Sequence, residues 1–180
     1  MRSIQLMSKA LADKIAAGEV VERPASIVKE LVENSIDAGS TAITVEIREG
    51  GISYVRVTDN GSGIAAQDVK TAFLRHATSK MYDEEELFHI ASLGFRGEAL
   101  ASIAAVSKIK LTTRTSDAEL GTEICFAGGE LEQMQETGCA CGTNIVVRDL
   151  FFNTPVRRKF LKKPAQEASY IGDILSLIHI

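Results

Sequence analysis

The chain has 180 residues, of which 45% are hydrophobic and 24% are charged, a balance typical of a globular domain with one sizeable core. Its formal net charge of −4 argues against a uniformly basic nucleic-acid-binding protein. The N-terminus lacks the apolar stretch of a secretory signal and no run could cross a bilayer, so we expect a cytosolic protein that does not enter a membrane.

Hydrophobic periodicity predicts helices and strands along the whole chain. Helices are predicted over residues 8–16, 25–36, 65–74, 84–89 and 97–106, and strands over residues 42–48, 52–58, 108–114, 122–126 and 143–148. The first two strands are joined by the tight turn Glu49-Gly50-Gly51 and are therefore expected to be antiparallel. This disfavours an all-parallel nucleotide-binding sheet, and the chain has no G-x-x-x-x-G-K-S/T phosphate loop. The pattern predicts an α+β fold, in which helices cover one face of an open, mostly antiparallel sheet.

The helix predicted over residues 25–36 carries an acid and an amide on one polar face. Glu30 and Asn34 lie four positions apart, which places them one above the other on a helix. The opposing apolar stripe consists of Ile27, Val28, Leu31, Val32 and Ile36. A glutamate can hold and polarise a water molecule, and an asparagine oxygen can ligate Mg²⁺, which prefers hard oxygen ligands together with phosphates. The same two residues are also typical of the solvated side of an ordinary amphipathic helix.

Asp59 follows the second predicted strand and begins a turn that contains Gly61 and Gly63. A carboxylate at this position can accept a hydrogen bond from an exocyclic amine such as that of adenine, and the glycines allow the backbone to approach a ligand closely. Asp-Asn-Gly is also ordinary turn chemistry, so a simple loop is the alternative interpretation.

A second glycine-containing segment, residues 92–103, leads with two glycines and an arginine into the helix predicted over residues 97–106. The unpaired backbone N–H groups of a helix N-terminus attract anions, so this segment is suited to cradling phosphate groups. The alternative is a glycine-containing helix start with Arg96 as a surface charge.

These three segments, in this order and spacing, resemble the GHKL family of ATPases. Four longer motifs are similar to its MutL mismatch-repair subfamily, namely residues 15–26, 75–80, 94–100 and 152–160, and the resemblance extends from about residue 4 to about residue 174. It implies the Bergerat fold, a two-layer α/β sandwich with a mostly antiparallel mixed sheet covered on one face by helices. It also implies that residues 1–174 form an ATPase domain, the N-terminal part of a longer protein. Residues 175–180 depart from the subfamily and are expected to be an artificial or truncated end.

The resemblance implies roles for individual residues in binding and hydrolysing Mg-ATP. Glu30 is expected to act as general base for the attacking water, and Asn34 as a ligand of Mg²⁺. Asp59 is expected to read adenine, with support from the hydroxyl of Thr143 directly or through water. Residues 96–100 are expected to form a phosphate-binding lid. The residues expected to contact the nucleotide are Asn34, Asp59, Gly63, Thr78, Ser79, Lys80, Arg96, Gly97, Glu98, Ala99, Leu100 and Thr143.

The basic run of residues 157–163 is the candidate DNA contact. Its five positive charges within seven residues belong to Arg157, Arg158, Lys159, Lys162 and Lys163. They suffice for salt-sensitive phosphate contacts if they share a face, whereas a solvated helix balancing acidic neighbours is an equally acceptable interpretation. The resemblance favours weak DNA contact without sequence-specific readout, and it implies a MutS-type mismatch-recognition partner and a homodimer of the full-length protein.

In the subfamily, ATP binding and hydrolysis act as a conformational and dimerisation switch. The chain is expected to bind ATP but hydrolyse it slowly, because the subfamily supplies a further lysine from a following subdomain. Two other interpretations stay open. A histidine kinase of the same family would need a phosphoacceptor histidine helix, and a non-hydrolysing scaffold or DNA-binding module would retain the fold without turnover.

Overall fold

The computed structural model describes residues 5–75, 77 and 97–178, which form helices packed on a six-stranded sheet. The helices are α1 (Lys9–Val20), α2 (Pro24–Asp37), α3 (Ala66–Val69), α4 (Ala99–Val106), α5 (Pro155–Phe160) and α6 (Pro164–Leu177). The strands are β1 (Ile43–Arg48), β2 (Tyr54–Asp59), β3 (Lys108–Arg114), β4 (Gly121–Ala127), β5 (Glu130–Thr137) and β6 (Gly142–Arg148). Short 3-10 turns lie at Glu49–Gly51 and Thr71–Phe73. No helix in the described part of the chain is long and apolar enough to cross a membrane.

The strands lie in the order β1-β2-β6-β3-β4-β5. All five neighbouring pairs are antiparallel. The last strand in the chain, β6, is inserted between β2 and β3, whereas the other neighbours are consecutive in sequence. The predicted α+β fold with an open, mostly antiparallel sheet is therefore confirmed, and the described strands contain no parallel pair.

Apolar side chains alternate along the central strands and build the core against the helices. Val57, Ile145 and Leu111 are register partners across β2, β6 and β3, and all three are buried. A second buried row consists of Val55, Val147 and Ile109. The apolar face of α2, which includes Ile27 and Leu31, belongs to the same core.

The next row on this face of the sheet is polar and lies at the sheet's end. Asp59 is the last residue of β2, and its register partner on β6 is Thr143. Thr143 pairs in turn with Thr113, near the end of β3. Register partners point to the same face of a sheet, so these three residues continue the apolar rows. We call Asp59, Thr143 and Thr113 the polar row.

Most predicted elements are present, with ends that shift by a few residues. The strand predicted over residues 108–114 coincides with β3. The first helix runs beyond residue 16 to Val20, and its start is capped by the Ser8 hydroxyl, which accepts from the backbone N–H of Leu11 at 3.3 Å. The helix predicted over residues 65–74 is instead α3 followed by a 3-10 turn. β5 has no counterpart among the predicted elements, and the helix predicted over residues 84–89 lies outside the described residues.

Candidate functional site

Within the described part of the chain, three hydrogen bonds hold the Asp59 carboxylate at the end of β2. Oδ1 accepts from the backbone N–H groups of Gly61 at 2.9 Å and Thr143 at 3.2 Å. Oδ2 accepts from the hydroxyl of Ser35 at 2.9 Å. The donors come from α2, from β6 and from the turn after β2, so the half-buried carboxylate is fixed from three directions.

The hydrogen bond from Ser35 to Asp59 links the last turns of α2 to the end of β2. Its side chain is 4% exposed, and its Oγ also lies 3.0 Å from the carbonyl oxygen of Leu31. A hydroxyl has one proton to donate, and an ionised carboxylate is the stronger acceptor. Ser35 therefore sets the position of α2, including the neighbouring Asn34, relative to Asp59. The sequence pattern did not single out Ser35, because serine in a helix usually bonds only to its own backbone.

Glu30 and Asn34 lie one turn apart on α2, and both are half-buried. Of the predicted apolar stripe, the buried members are Ile27, Val28, Leu31 and Val32. Ile36 is only partly buried, and Ser35 occupies the buried position instead. Lys29, which is exposed, forms an ion pair with Glu33, whose side chain is 12% exposed, with Nζ and Oε1 3.1 Å apart. Glu30 and Asn34 thus border the buried face and are not on a fully solvated one.

Thr143 supports Asp59 through its backbone, which differs from the predicted role of its hydroxyl. The Thr143 N–H donates to Asp59 Oδ1, whereas the Thr143 Oγ1 lies 3.1 Å from the Oγ1 of Thr113. The difference follows from register, because antiparallel pairing brings the Thr143 amide beside Asp59 and the Thr143 hydroxyl beside the next strand. Thr113 is a second polar residue that the sequence pattern did not indicate.

Two glycines allow the turn after Asp59 to pack closely on its neighbours. Gly63 has φ +71°, and a Cβ there would overlap the carbonyl oxygen of Arg114 at the end of β3. Gly142 has φ +112°, and a Cβ there would overlap the carbonyl oxygen of Asp59. A residue with a side chain would be strained at either position. The described contacts of Gly63 are thus with the protein's own backbone, and its predicted approach to a ligand stays a prediction.

The two predicted nucleotide-contacting segments, residues 75–80 and 94–100, meet at their described ends. Gly97 has φ +60°, and a Cβ there would press on the backbone of Ala77. Glu98 precedes α4, whose first residues are Ala99 and Leu100, and Leu100 packs against the core. The predicted contact residues Thr78, Ser79, Lys80 and Arg96 lie outside the described residues.

One member of the basic run does not share the exposed face of the others. Arg157 packs over α1, where its Nη2 lies 3.4 Å from the carbonyl oxygen of Ile15 and where a Cβ at Gly18 would overlap its guanidinium. Its Nη1 is buried. The four exposed members are Arg158, Lys159, Lys162 and Lys163. Arg157 is therefore only partly accessible, and the predicted DNA contact of the basic run stays a prediction.

Comparison with known proteins assigns this arrangement to a family. A family described as histidine kinase-, DNA gyrase B-, and HSP90-like ATPase matches residues 22–126, which is more than half of the chain. The chain belongs to this ATPase family. The match includes α2, the turn after Asp59 and α4.

Curated relatives and solved structures narrow the similarity to MutL. The DNA mismatch repair protein MutL of Caldanaerobacter subterraneus subsp. tengcongensis is 57% identical over 176 residues, covering 98% of this chain and 30% of that protein. MutL of Clostridium botulinum strain Kyoto is 52% identical over 176 residues and is covered to 26% of its length. The Aquifex aeolicus MutL ATPase domain complexed with ADP has a TM-score of 0.71 at 39% identity, covering 87% of this chain and 54% of that chain. The predicted resemblance to MutL is confirmed, and the chain spans 30% and 26% of the length of these two curated relatives.

Proposed function

We propose that this chain is the ATP-binding and ATP-hydrolysing domain of a MutL-type DNA mismatch repair protein. The observation that carries the proposal is the Asp59 carboxylate, which among the described residues is held by three donors, one of them Ser35 of α2, the helix that also carries Asn34 and Glu30. Support comes from the ADP complex of the similar Aquifex aeolicus domain.

The hydrogen bonds of Asp59 suit the recognition of an amine. An ionised carboxylate has about four acceptor positions. Among the described residues, Gly61 and Thr143 occupy Oδ1 and Ser35 occupies one position of Oδ2. About one position on Oδ2 is then left for a ligand donor such as the exocyclic amine of adenine. Because the protein itself fixes the carboxylate, little ordering is needed when the base arrives.

Glu30 and Asn34 supply the chemistry at the phosphate end of the proposed site. The Glu30 carboxylate would hold the attacking water and take its proton, and Asn34 would offer its side-chain oxygen to Mg²⁺. The described residues contain no group of three or more His, Cys, Asp or Glu that could hold a metal. A single amide ligand fits Mg²⁺, which is commonly held by few protein oxygens together with substrate phosphates and water. When bound, Mg²⁺ would offset the charge that develops on the phosphate oxygens.

The remaining predicted contacts complete this proposal. Lys80 would place a positive charge near the phosphates, supported by Thr78 and Ser79. Residues 96–100 would form the lid, and the Gly97–Ala77 contact supports a common location for these two segments.

The exposed part of the basic run supports a weak DNA contact. Arg158, Lys159, Lys162 and Lys163 are exposed around the junction of α5 and α6, where each can neutralise a phosphate without reading a base. By similarity to MutL we further propose a MutS-type partner, a homodimer of the longer protein, an ATP-driven conformational switch and a bacterial cytosolic location.

Thermal unfolding with and without Mg-ATP tests the nucleotide site. ATP at 100 times its Kd stabilises a folded protein by about 2.7 kcal/mol, which corresponds to a rise in Tm of about 5–11 °C for a domain of this size. Omitting Mg²⁺ should reduce the shift, and Asn34→Ala should remove the effect of Mg²⁺. Ser169→Ala, an exposed change on α6, is the matched control. If the chain is folded and its Tm does not change when Mg-ATP is added, the proposal is contradicted. That result would favour a scaffold that binds no nucleotide.

A further inference from the structure

The third member of the polar row, Thr113, makes contacts that bear on nucleotide choice. Its side chain is 1% exposed and follows the buried Ile109 and Leu111 on the same face of β3. A hydroxyl in such an apolar environment must find its partners within the protein. Thr113 has three such partners among the residues that the structure describes, all at the turn and strand start that hold Asp59.

The identities of the partners decide the direction of each hydrogen bond. The backbone N–H of Ile64 lies 2.9 Å from Thr113 Oγ1 and can only donate. The carbonyl oxygen of Gly142 also lies 2.9 Å away and can only accept, so Thr113 donates its proton to Gly142. The Oγ1 of Thr143 lies 3.1 Å away. Since a hydroxyl has one proton and two acceptor positions, the remaining bond requires Thr143 to donate to Thr113.

This chain of bonds leaves Thr143 with acceptor capacity only. Its single proton is committed to Thr113, so toward any ligand or water its oxygen can accept but not donate. Its register partner Asp59 is likewise an acceptor. Two neighbouring acceptors favour an amine on the bound base and disfavour a carbonyl oxygen at the same place.

We propose that Thr113 is a specificity-determining residue that makes Thr143 an acceptor and so selects a 6-amino purine over a 6-oxo purine. The inference rests on the proposed nucleotide site. Thr113 itself acts through Thr143 and through the turn at Ile64, without touching the base. Packing of Gly63 on Arg114 holds the same turn against the end of β3 and keeps Ile64 within reach of Thr113.

The test compares Kd values for ATP and GTP in wild type, Thr113→Val and Thr113→Ser. Valine keeps the shape but removes the hydroxyl, which frees the Thr143 proton to donate to the carbonyl of guanine. The preference for ATP over GTP should fall about fivefold to tenfold, the equivalent of one hydrogen bond. Serine retains the hydroxyl and should restore the wild-type preference. Thr122→Val is the matched control, because Thr122 is buried and is the register partner of Thr113 on β4, one strand farther from Asp59.

The outcomes separate this inference from the proposed function. If the wild type binds no ATP, the proposed function fails. If the wild type prefers ATP and Thr113→Val keeps the same Kd ratio as Thr122→Val, Thr113 has only a packing role and the inference is overturned. Should Thr113→Val not fold, amide hydrogen exchange of the wild type decides: protection of the Ile64 N–H supports the bond to Thr113, and exchange at the rate of an unstructured amide overturns it.

Discussion

Asp59→Asn should abolish ATP binding while leaving the fold nearly intact. The asparagine oxygen can still accept from the N–H groups of Gly61 and Thr143, which hold Oδ1 at 2.9 and 3.2 Å. The new amide nitrogen would face Ser35, which can turn its proton to the Leu31 carbonyl 3.0 Å away and accept the amide instead. Each partner therefore stays satisfied. The three hydrogen bonds become weaker when the acceptor is neutral, but a half-buried amide also loses less hydration than a carboxylate, so we expect a net cost of about 1 kcal/mol.

The effect on binding should be far larger than the effect on stability. In the variant, the asparagine NH₂ group replaces the carboxylate oxygen that would face the adenine amine. One charge-assisted bond is lost, and two hydrogen-bond donors, the asparagine amide and the adenine amine, then face each other. We expect a loss of about 3–5 kcal/mol, or a factor of about 10² to 10⁴ in Kd. Calorimetric titration with Mg-ATP measures this factor, and thermal unfolding without ligand should show a Tm lower by about 2–4 °C.

Asp173→Asn provides the control for the Asp59 variant, because it makes the same chemical change at an exposed position of α6. It should leave both Tm and Kd unchanged. If Asp59→Asn bound Mg-ATP within threefold of the wild-type Kd, the assignment of Asp59 as the base-reading carboxylate would be refuted. A loss of binding together with global unfolding would refute the argument that Ser35 can reverse its hydrogen bond.

Four further changes test other parts of the molecule. Glu30→Ala should keep the ATP-dependent Tm shift but lose phosphate release in a steady-state ATPase assay. Lys159→Ala should lower the slope of log K against log salt for duplex DNA by about one, measured by fluorescence anisotropy. Gly142→Ala should lower the denaturation midpoint in urea, because φ +112° and the Asp59 carbonyl exclude a Cβ. Burial is the largest cause that raises the pKa of the Cys125 thiol, and the negative charge of the Glu123 carboxylate is the second. The unfolded thiol then ionises first, so the free energy of unfolding should fall as pH rises past the ordinary thiol pKa, and native Cys125 should need a higher pH for alkylation than the unfolded chain.

The sequence predicted strands well where one face is buried and poorly at the edge of the sheet. β3 was predicted at its observed ends because Ile109 and Leu111 alternate with exposed lysines. β5 was missed because its apolar residues Leu131 and Met134 are three positions apart and nearly all of its side chains are exposed. Among the described strands it pairs only with β4 at the edge of the sheet, so pairing and not burial defines it.

The residues of the candidate site were predictable only where a short motif contains the chemistry. Asp59 was indicated by its own turn. Ser35 lies 24 positions before Asp59, and Thr113 lies 49 positions after Ile64, so each gains its role from contacts that no local pattern records. The packing of Arg157 could not be predicted either, because a run of charges does not show which side chain will pack over a glycine of another helix.

The antiparallel register explains why the polar groups of the site come together at one place. Val55 and Val57 on β2 pair with apolar residues of β6, and the next residue on that face of β2 is Asp59. At that step the core ends, and each polar group must find a donor or an acceptor among its neighbours in the row, in α2 or in the turn. Every described bond of the Asp59 carboxylate is donated by such a neighbour, and in the direction inferred above Thr143 donates to Thr113. A register slip of one residue in any of these strands would send its member of the polar row to the opposite face. The same pairing that buries the apolar rows therefore also defines the hydrogen-bonding pattern presented to a ligand.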